Sequence, residues 1–208
     1  MGPQSRACRV WVIASASGNG KTTLGRALAQ QLGVPFVELD ALVHGPGWAE
    51  ASDTELRARI APVVASAGWV IDGSYERKLG DLVLDAADLV VWLDLSMWIW
   101  LPRLARRTWR RARRREELWN GNRESLRNAV IGWDSLFVYA LRSHFRRRRE
   151  LPDRLAGRPV IWLRSPAEVE RFLQGAGWAI AQTKNSPVVP ADARQPSRAS
   201  SRSSHSGS

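Results

Sequence analysis

Cysteine and lysine are both scarce in this chain. A single cysteine, Cys8, rules out an internal disulfide framework and fits a reducing compartment. Only three lysines occur, Lys21, Lys78 and Lys184, so a Gly-Lys-Thr triplet here is poorly explained by chance. Long apolar runs are also missing. The most apolar later stretch, 89–101, is broken by Asp94 and is too short to span a bilayer. The run 10–14 is too short for the core of a secretory signal. The expectation is a soluble cytoplasmic protein without membrane attachment.

What the chain does have is arginine. Of its 31 basic residues all but the three lysines are arginine, and the net charge is +11. They cluster, with eight in 103–115 and five in 142–149. Such a surface suits either nucleic acid or the phosphates of a small nucleotide, and composition does not separate the two. With 208 residues and 44% apolar content the chain can bury the core of one domain. That domain is expected to cover 1–181. From 182 to 208 the apolar periodicity gives way to Ser, Pro, Ala and Arg, which cannot bury enough surface to offset ordering entropy, so a disordered tail is expected.

One stretch carries most of the chemistry. Ala14-Ser-Ala-Ser-Gly-Asn-Gly-Lys-Thr-Thr23 follows a short apolar strand signal and opens a helical pattern. This is the setting of a phosphate-binding loop, in which backbone N–H groups turn inward around an anion at a helix N-terminus. Ser17, Gly18, Asn19, Gly20, Lys21, Thr22 and Thr23 are the expected nucleotide-binding residues, with Lys21 on the β- and γ-phosphates and Thr22 on Mg²⁺. The strict pattern asks for glycine at position 15, where this chain has Ser15. A serine keeps the turn and is expected to loosen phosphate binding.

Further on, apolar runs near 34–39, 68–72, 88–94 and 158–163 read as strands, separated by helical spacing at 53–67, 75–87, 96–115, 125–150 and 166–175. Alternation of this kind implies parallel crossover units, hence a three-layer α/β fold. In such sheets functional groups collect at the carboxyl ends of the strands. Asp72 is the candidate second carboxylate at the metal, the competing reading being a helix cap. No glutamate follows it to activate water, which favours a transferase over a hydrolase. Asp40 either orients an acceptor hydroxyl or caps a helix. Asp94 reads as structural and His44 as solvent-facing. The Asn-Lys-x-Asp signature of guanine-specific enzymes is missing, which leaves ATP as donor.

The arginine-rich helix pair and the connection 116–124 have the character of a lid, and positioned cations there can be worth about 10³ to 10⁵ in rate. Arg107, Arg110 and Arg123 are the catalytic candidates beside Lys21 and Asp72, with Arg114 a further one.

Taken together, Gly18-Asn-Gly-Lys-Thr-Thr23, Leu39-Asp-Ala-Leu42 with Pro46-Gly-Trp48, Trp69-Val-Ile-Asp-Gly73 and Leu163-Arg-Ser-Pro166 resemble the adenylate-kinase-like branch of the P-loop kinases. Leu118-Trp-Asn-Gly-Asn-Arg-Glu124 adds a likeness to bacterial DNA topology modulation proteins, which also carry adenylate kinase or AAA-family ATPase labels. The resemblance implies a five-stranded sheet in order 2-3-1-4-5, a helical acceptor insert between strands 2 and 3, and a lid at about 103–127. It also implies Arg57 and Gly73 at the acceptor and Arg164, Ser165 and Pro166 over adenine. Adenylate kinases follow the third strand with Asp-Gly-Phe-Pro-Arg, whereas this chain has Asp72-Gly-Ser-Tyr-Glu-Arg77, so AMP is not the expected acceptor. The reading is an ATP-dependent, Mg²⁺-requiring kinase for a small-molecule acceptor, a nucleotide or nucleoside being preferred because the pocket would be cationic. The alternatives are a nucleic-acid-associated ATP-dependent regulator and a nucleotide binder without turnover.

Overall fold

The computed structural model describes residues 8–114, 117–121 and 136–183. Arg123, the 125–135 part of the expected helix and the tail beyond 183 lie outside those residues. Five parallel strands, β1 (Arg9–Ala14), β2 (Phe36–Glu38), β3 (Trp69–Asp72), β4 (Leu89–Leu93) and β5 (Val160–Leu163), form one sheet in the order β2-β3-β1-β4-β5. The expected topology is therefore the observed one. Continuous apolar strands need cover on both faces, and alternate residues supply both layers. Val10, Val12, Ala14, Val70, Leu89, Val91 and Leu93 point to one face, where α1 (Lys21–Leu32) contributes Leu24 and Leu28 and α8 (Pro166–Thr183) contributes Phe172. Trp11, Ile13, Ile71, Val90 and Trp92 point to the other, against α2 (Leu39–Val43), α3 (Asp53–Ala65), α4 (Glu76–Leu79) and α5 (Leu82–Ala86).

Local chemistry sets several element ends. Ser52 and Glu55 form a reciprocal capping box that starts α3. Gly33 stops α1 in the left-handed region, its N–H closing on the Ala29 carbonyl. The single helix expected over 75–87 is two short ones, because Gly80 at φ 61° turns the chain between them. β2 is shorter than expected because α2 begins at Leu39, and α8 runs on to Thr183. Among the described residues no helix is long and apolar enough to cross a membrane.

The arginine-rich helices, α6 (Met97–Arg114) and α7 (Leu136–Arg154), build a third cluster in which Trp100, Leu104 and Ala140 pack on Ala16 of the phosphate loop. That contact seats the arginine-rich pair directly on the loop. Behind it His144, 2% exposed, lies 5.5 Å from the Trp100 ring. Burial foremost depresses its affinity for a proton, the carboxylate of Asp94 opposes this and the Arg148 charge adds to it. A histidine with a lowered value is less protonated folded than unfolded, so stability falls as pH drops from the ordinary histidine value toward the folded one. Thermal melts from about pH 7.5 to about pH 5.5 should show a loss that shrinks in His144→Gln. An equal loss in both proteins would contradict this.

Candidate functional site

β1 runs out at Ala14, and the chain turns into the loop 15–20 before α1. Gly18 sits at φ 84°, and a Cβ there would come within 2.7 Å of the Trp100 carbonyl oxygen, so both conformation and space require glycine. Asn19 is buried and braces the loop from inside. Its amide donates to the Ala16 carbonyl at 2.9 Å, and its oxygen accepts from the Leu95 amide at 3.0 Å. Its side chain is thus committed to the protein, and only its backbone remains for an anion. Gly20, at φ 90°, caps α1 without a side-chain acceptor, and the first turn contains no acidic residue. The N–H groups of Lys21, Thr22 and Thr23 therefore present the unneutralised positive end of a helix.

Ser15 is fully buried, and its side chain is held by the protein. Its hydroxyl donates to Asp94 Oδ1 at 2.6 Å and accepts from Trp92 Nε1 at 3.0 Å. Asp94 Oδ2 in turn accepts from Trp162 Nε1 at 3.2 Å and pairs with Arg148 of α7 at 3.1 Å. Trp162 stacks on Trp92 with ring centres 4.4 Å apart, and the Arg164 guanidinium lies 3.7 Å above Trp162. The position where a glycine was expected is the hub of a satisfied polar network joining β1, β4, β5 and α7.

On the other side of the loop, Thr22 Oγ1 donates to Asp72 Oδ2 at 2.6 Å and stands 3.4 Å from Glu38 Oε1. The sheet register makes this meeting possible, because Asp72 pairs with both Val12 and Glu38. Asp72 is 2% exposed, so burial raises its proton affinity; the charge of Lys21 and the Thr22 hydrogen bond lower it, and the charges of Asp40 and Glu38 raise it again. Its Oδ1 is buried with no hydrogen-bond partner. An orphaned carboxylate oxygen beside a threonine hydroxyl and a second carboxylate is a donor set of the hard-oxygen kind that fits Mg²⁺.

Asp40 does not cap α2, whose first residue is Leu39. It lies in the first turn and accepts the Tyr75 hydroxyl proton at 2.6 Å. His44 is half-buried, with Nε2 at 3.3 Å from the same hydroxyl, and is not solvent-facing as expected. Gly73, at φ 140°, would place a Cβ 2.7 Å from Leu39, which lets β3 turn beneath α2.

Arg57 is exposed and donates through Nε to the Lys78 carbonyl at 2.9 Å, lining a groove with Gly80, Asp81 and Asp85. The charges acting on Asp72 are those of Lys21, Asp40 and Glu38, one cation with two carboxylates. Arg107 is half-buried on α6 one turn beyond Leu104, whereas Arg110 and Arg114 are exposed. Arg164, Ser165 and Pro166 lead from β5 into α8, where Ser165 Oγ accepts from the Glu168 amide at 3.2 Å and Glu168 accepts from the Arg164 amide at 2.7 Å.

Three side chains around the candidate site escape the sequence reading. Glu38 stands two residues before Asp40 at the end of β2, a spacing that gives the signal. Tyr75 is three residues past Asp72 and offers no local signal. Arg147, buried on α7, donates to the carbonyls of Ser74 at 2.8 Å and Ala14 at 3.4 Å, fixing both strand ends that flank the loop. Nothing distinguishes it from its arginine neighbours in sequence.

The family model for shikimate kinase matches residues 17–45. A shikimate kinase of Nitratidesulfovibrio vulgaris is 36% identical over 120 residues, which is 49% of this chain and 66% of that protein. One from Symbiobacterium thermophilum is 35% identical over 97 residues, 40% of this chain and 56% of that protein. The chain thus spans less than two thirds of the length of these curated relatives. The solved structure of a shikimate kinase from Acinetobacter baumannii in complex with shikimate superposes with a TM-score of 0.56, covering 88% of this chain and 97% of that one at 17% identity. The fold is that of the P-loop kinases.

Restoring the consensus glycine should harm this protein. Ser15→Gly strips Trp92 of its acceptor and Asp94 of a donor in a buried setting, a loss of about 1–3 kcal/mol. Urea unfolding should show the midpoint falling, and an unchanged or higher midpoint would show that the hub contributes nothing.

Proposed function

We propose that this protein is an ATP-dependent phosphotransferase that moves the γ-phosphoryl group to a hydroxyl of a small molecule. The observation that carries the reading is the Thr22–Asp72 hydrogen bond set beside Lys21 at the mouth of a correctly built phosphate loop. The loop amides and the open N-terminus of α1 bind the phosphate chain, and Lys21 offsets its terminal charge. Thr22 and Asp72, with Glu38 beside them, would hold Mg²⁺, which supplies charge neutralisation on the β- and γ-phosphate oxygens. Asp40, held by Tyr75, orients the acceptor hydroxyl and takes its proton. Arg107 and Arg110 on α6, together with Arg123, are assigned to the equatorial oxygens of the transferring group, and 164–166 to the adenine side. Arg57, on the groove between α3 and α5, is assigned to holding the insert rather than the reacting group.

A second reading has one observation in its favour. Trp98 and Trp109 are 80% and 58% exposed on α6 among Arg106, Arg110 and Arg113, a mixture that suits single-stranded nucleic acid. It accords with the likeness to DNA topology modulation proteins. Binding to oligonucleotides that weakens steeply with salt would support it, and none at low salt would end it.

The kinase reading is checked by calorimetry and label transfer together. Lys21→Ala should bind Mg-ATP at least about tenfold more weakly, a loss of some 1.4 kcal/mol or more. Asp72→Asn should keep metal-free ATP binding while losing the gain that Mg²⁺ confers. If wild type releases label only as free phosphate across a broad acceptor panel, the protein is not a kinase.

A further inference from the structure

His44 closes α2 one turn after Asp40 and donates its N–H to the Asp40 carbonyl at 3.0 Å. Tyr75, beyond the end of β3, meets both side chains. Its hydroxyl donates to Asp40 Oδ1 at 2.6 Å and lies 3.3 Å from His44 Nε2. A phenol has one proton, and here it is committed to the carboxylate, so in the contact with histidine the ring nitrogen is the donor. Nε2 of His44 therefore carries a proton, and the donors run one way, from imidazole to phenol to carboxylate. Burial foremost, then the charge of Asp40, drive the tyrosine far above its ordinary range, so the middle member keeps its proton. Donors aligned in this way polarise one another, and the chain ends on Asp40 as acceptor, the form a base needs before it takes a proton.

The histidine end of this chain is held from elsewhere in the fold. Trp119–Gly121 forms a 3₁₀ turn in the connection between α6 and α7. Asn120 in that turn sits at φ 56°, in the left-handed region that asparagine adopts more readily than most residues. Its amide donates to the His44 carbonyl at 2.5 Å and to the Ala41 carbonyl at 3.4 Å. Both oxygens belong to the carboxyl end of α2, where a helix leaves its last carbonyls without partners of its own. The carbonyl carbon of His44 is bonded to the Cα that carries the imidazole, so holding the oxygen also holds the ring. Two local contacts complete the support: Gly45 donates to the Ala49 carbonyl at 2.7 Å, and the His44 ring stands edge-on to Trp48 with centres 5.4 Å apart.

The donor that caps α2 thus comes from a residue 76 positions beyond His44. It also comes from the connection that leaves α6, the helix whose Trp100 and Leu104 pack on Ala16 of the phosphate loop. The chain from α6 to Asn120 therefore joins the loop to the end of α2, and from there His44 and Tyr75 lead to Asp40.

We propose that Asn120 and His44 are positioning residues for phosphoryl transfer: Asn120 docks the α6–α7 connection on the end of α2, and the His44 ring passes that docking through Tyr75 to the carboxylate of Asp40. This rests on the kinase reading above, in which Asp40 is the base. In the transfer, the acceptor O–H proton passes to an Asp40 carboxylate oxygen and the hydroxyl oxygen bonds to the γ-phosphorus. The bond from that phosphorus to the bridging oxygen breaks, and ADP leaves with the electron pair. A base turned out of line still lets Mg-ATP bind, so loss of the docking is felt in kcat and not in nucleotide affinity.

Two measurements on the full chain test this. The first needs no acceptor. The chain has three histidines, His44, His144 and His205, so ¹⁵N-histidine NMR resolves each ring, with assignment by substitution. His44 should be protonated on Nε2, and Tyr75→Phe and Asn120→Gly should each shift the signals of that ring. A ring protonated on Nδ1 alone, or one that neither substitution moves, would overturn the proposal. The second measurement is steady-state kinetics with γ-labelled Mg-ATP and the acceptor that wild type labels from a panel of sugars, cyclitols, hydroxy acids and nucleosides. Asn120→Gly keeps the backbone conformation and loses the amide, and Asn120→Asp keeps the shape and cannot donate. Each should lower kcat about tenfold, with KM for Mg-ATP within about twofold and thermal melting retained. His44→Leu should match that loss, and His44→Gln, whose amide N–H can serve Tyr75, should recover most of it. Unchanged kcat in the Asn120 variants, a kcat loss that comes with early melting, or an equal loss in His44→Gln and His44→Leu would reduce these contacts to helix capping and overturn the proposal while leaving the kinase reading intact. No labelled acceptor at all, with Mg-ATP binding seen by calorimetry, would overturn both.

Discussion

A hydrogen bond of 2.6 Å between a hydroxyl and a buried carboxylate, Thr22 to Asp72, closes the phosphate loop against the third strand, and the rest of the site is arranged around it. It exists because three parallel strands end at one level. Register sets Asp72 beside Val12 on one side and Glu38 on the other, so the loop after β1, the turn after β3 and the start of α2 open into the same space. Removing Asp72 from water is unfavourable for its charge. Lys21 and the threonine hydroxyl offset part of that penalty, and the other carboxylate oxygen is buried with no hydrogen-bond partner.

The strong positive charge of the chain is misleading about this site. Much of the arginine near it is structural: Arg147 ties the ends of β1 and β3 together, Arg148 neutralises Asp94, and Arg154 and Arg158 pair with Asp81 and Asp85 at the back of the sheet. The exposed pairs contribute little stability, because water screens them. Arg147 and the Asp94 network are different: the Arg147 side chain is buried and tied to two carbonyls, and the buried Asp94 carboxylate is bonded through both oxygens. The molecule is therefore rich in arginine outside, while Lys21, Glu38, Asp40 and Asp72 bring mixed charge to the strand ends around the loop.

The fold was legible to the extent that it depends on local pattern. Continuous apolar runs separated by helical spacing announced parallel strands, and Gly20, Lys21 and Thr22 in sequence announced the loop. The boundaries were less so. Gly80 divides a helix that periodicity had joined, and β2 is cut short because the backbone turns helical at Leu39 to bring Asp40 toward Tyr75. Ser15 shows the limit most clearly. As a motif letter it is a defect, whereas in the structure it donates to Asp94, seventy-nine positions away, and accepts from Trp92.

Sequence alone determined that this chain makes a parallel α/β sheet with a triphosphate-binding turn after its first strand, since strand periodicity, glycine conformations and a helix N-terminus are properties of neighbouring residues. Only the tertiary structure decided which carboxylates meet, where the arginines point and which side chains surround Asp40. Those depend on strand order, register and side-chain burial, which join residues such as Thr22 with Asp72 and Asp40 with Tyr75 across long stretches of chain. No spacing along the sequence encodes that distance in space.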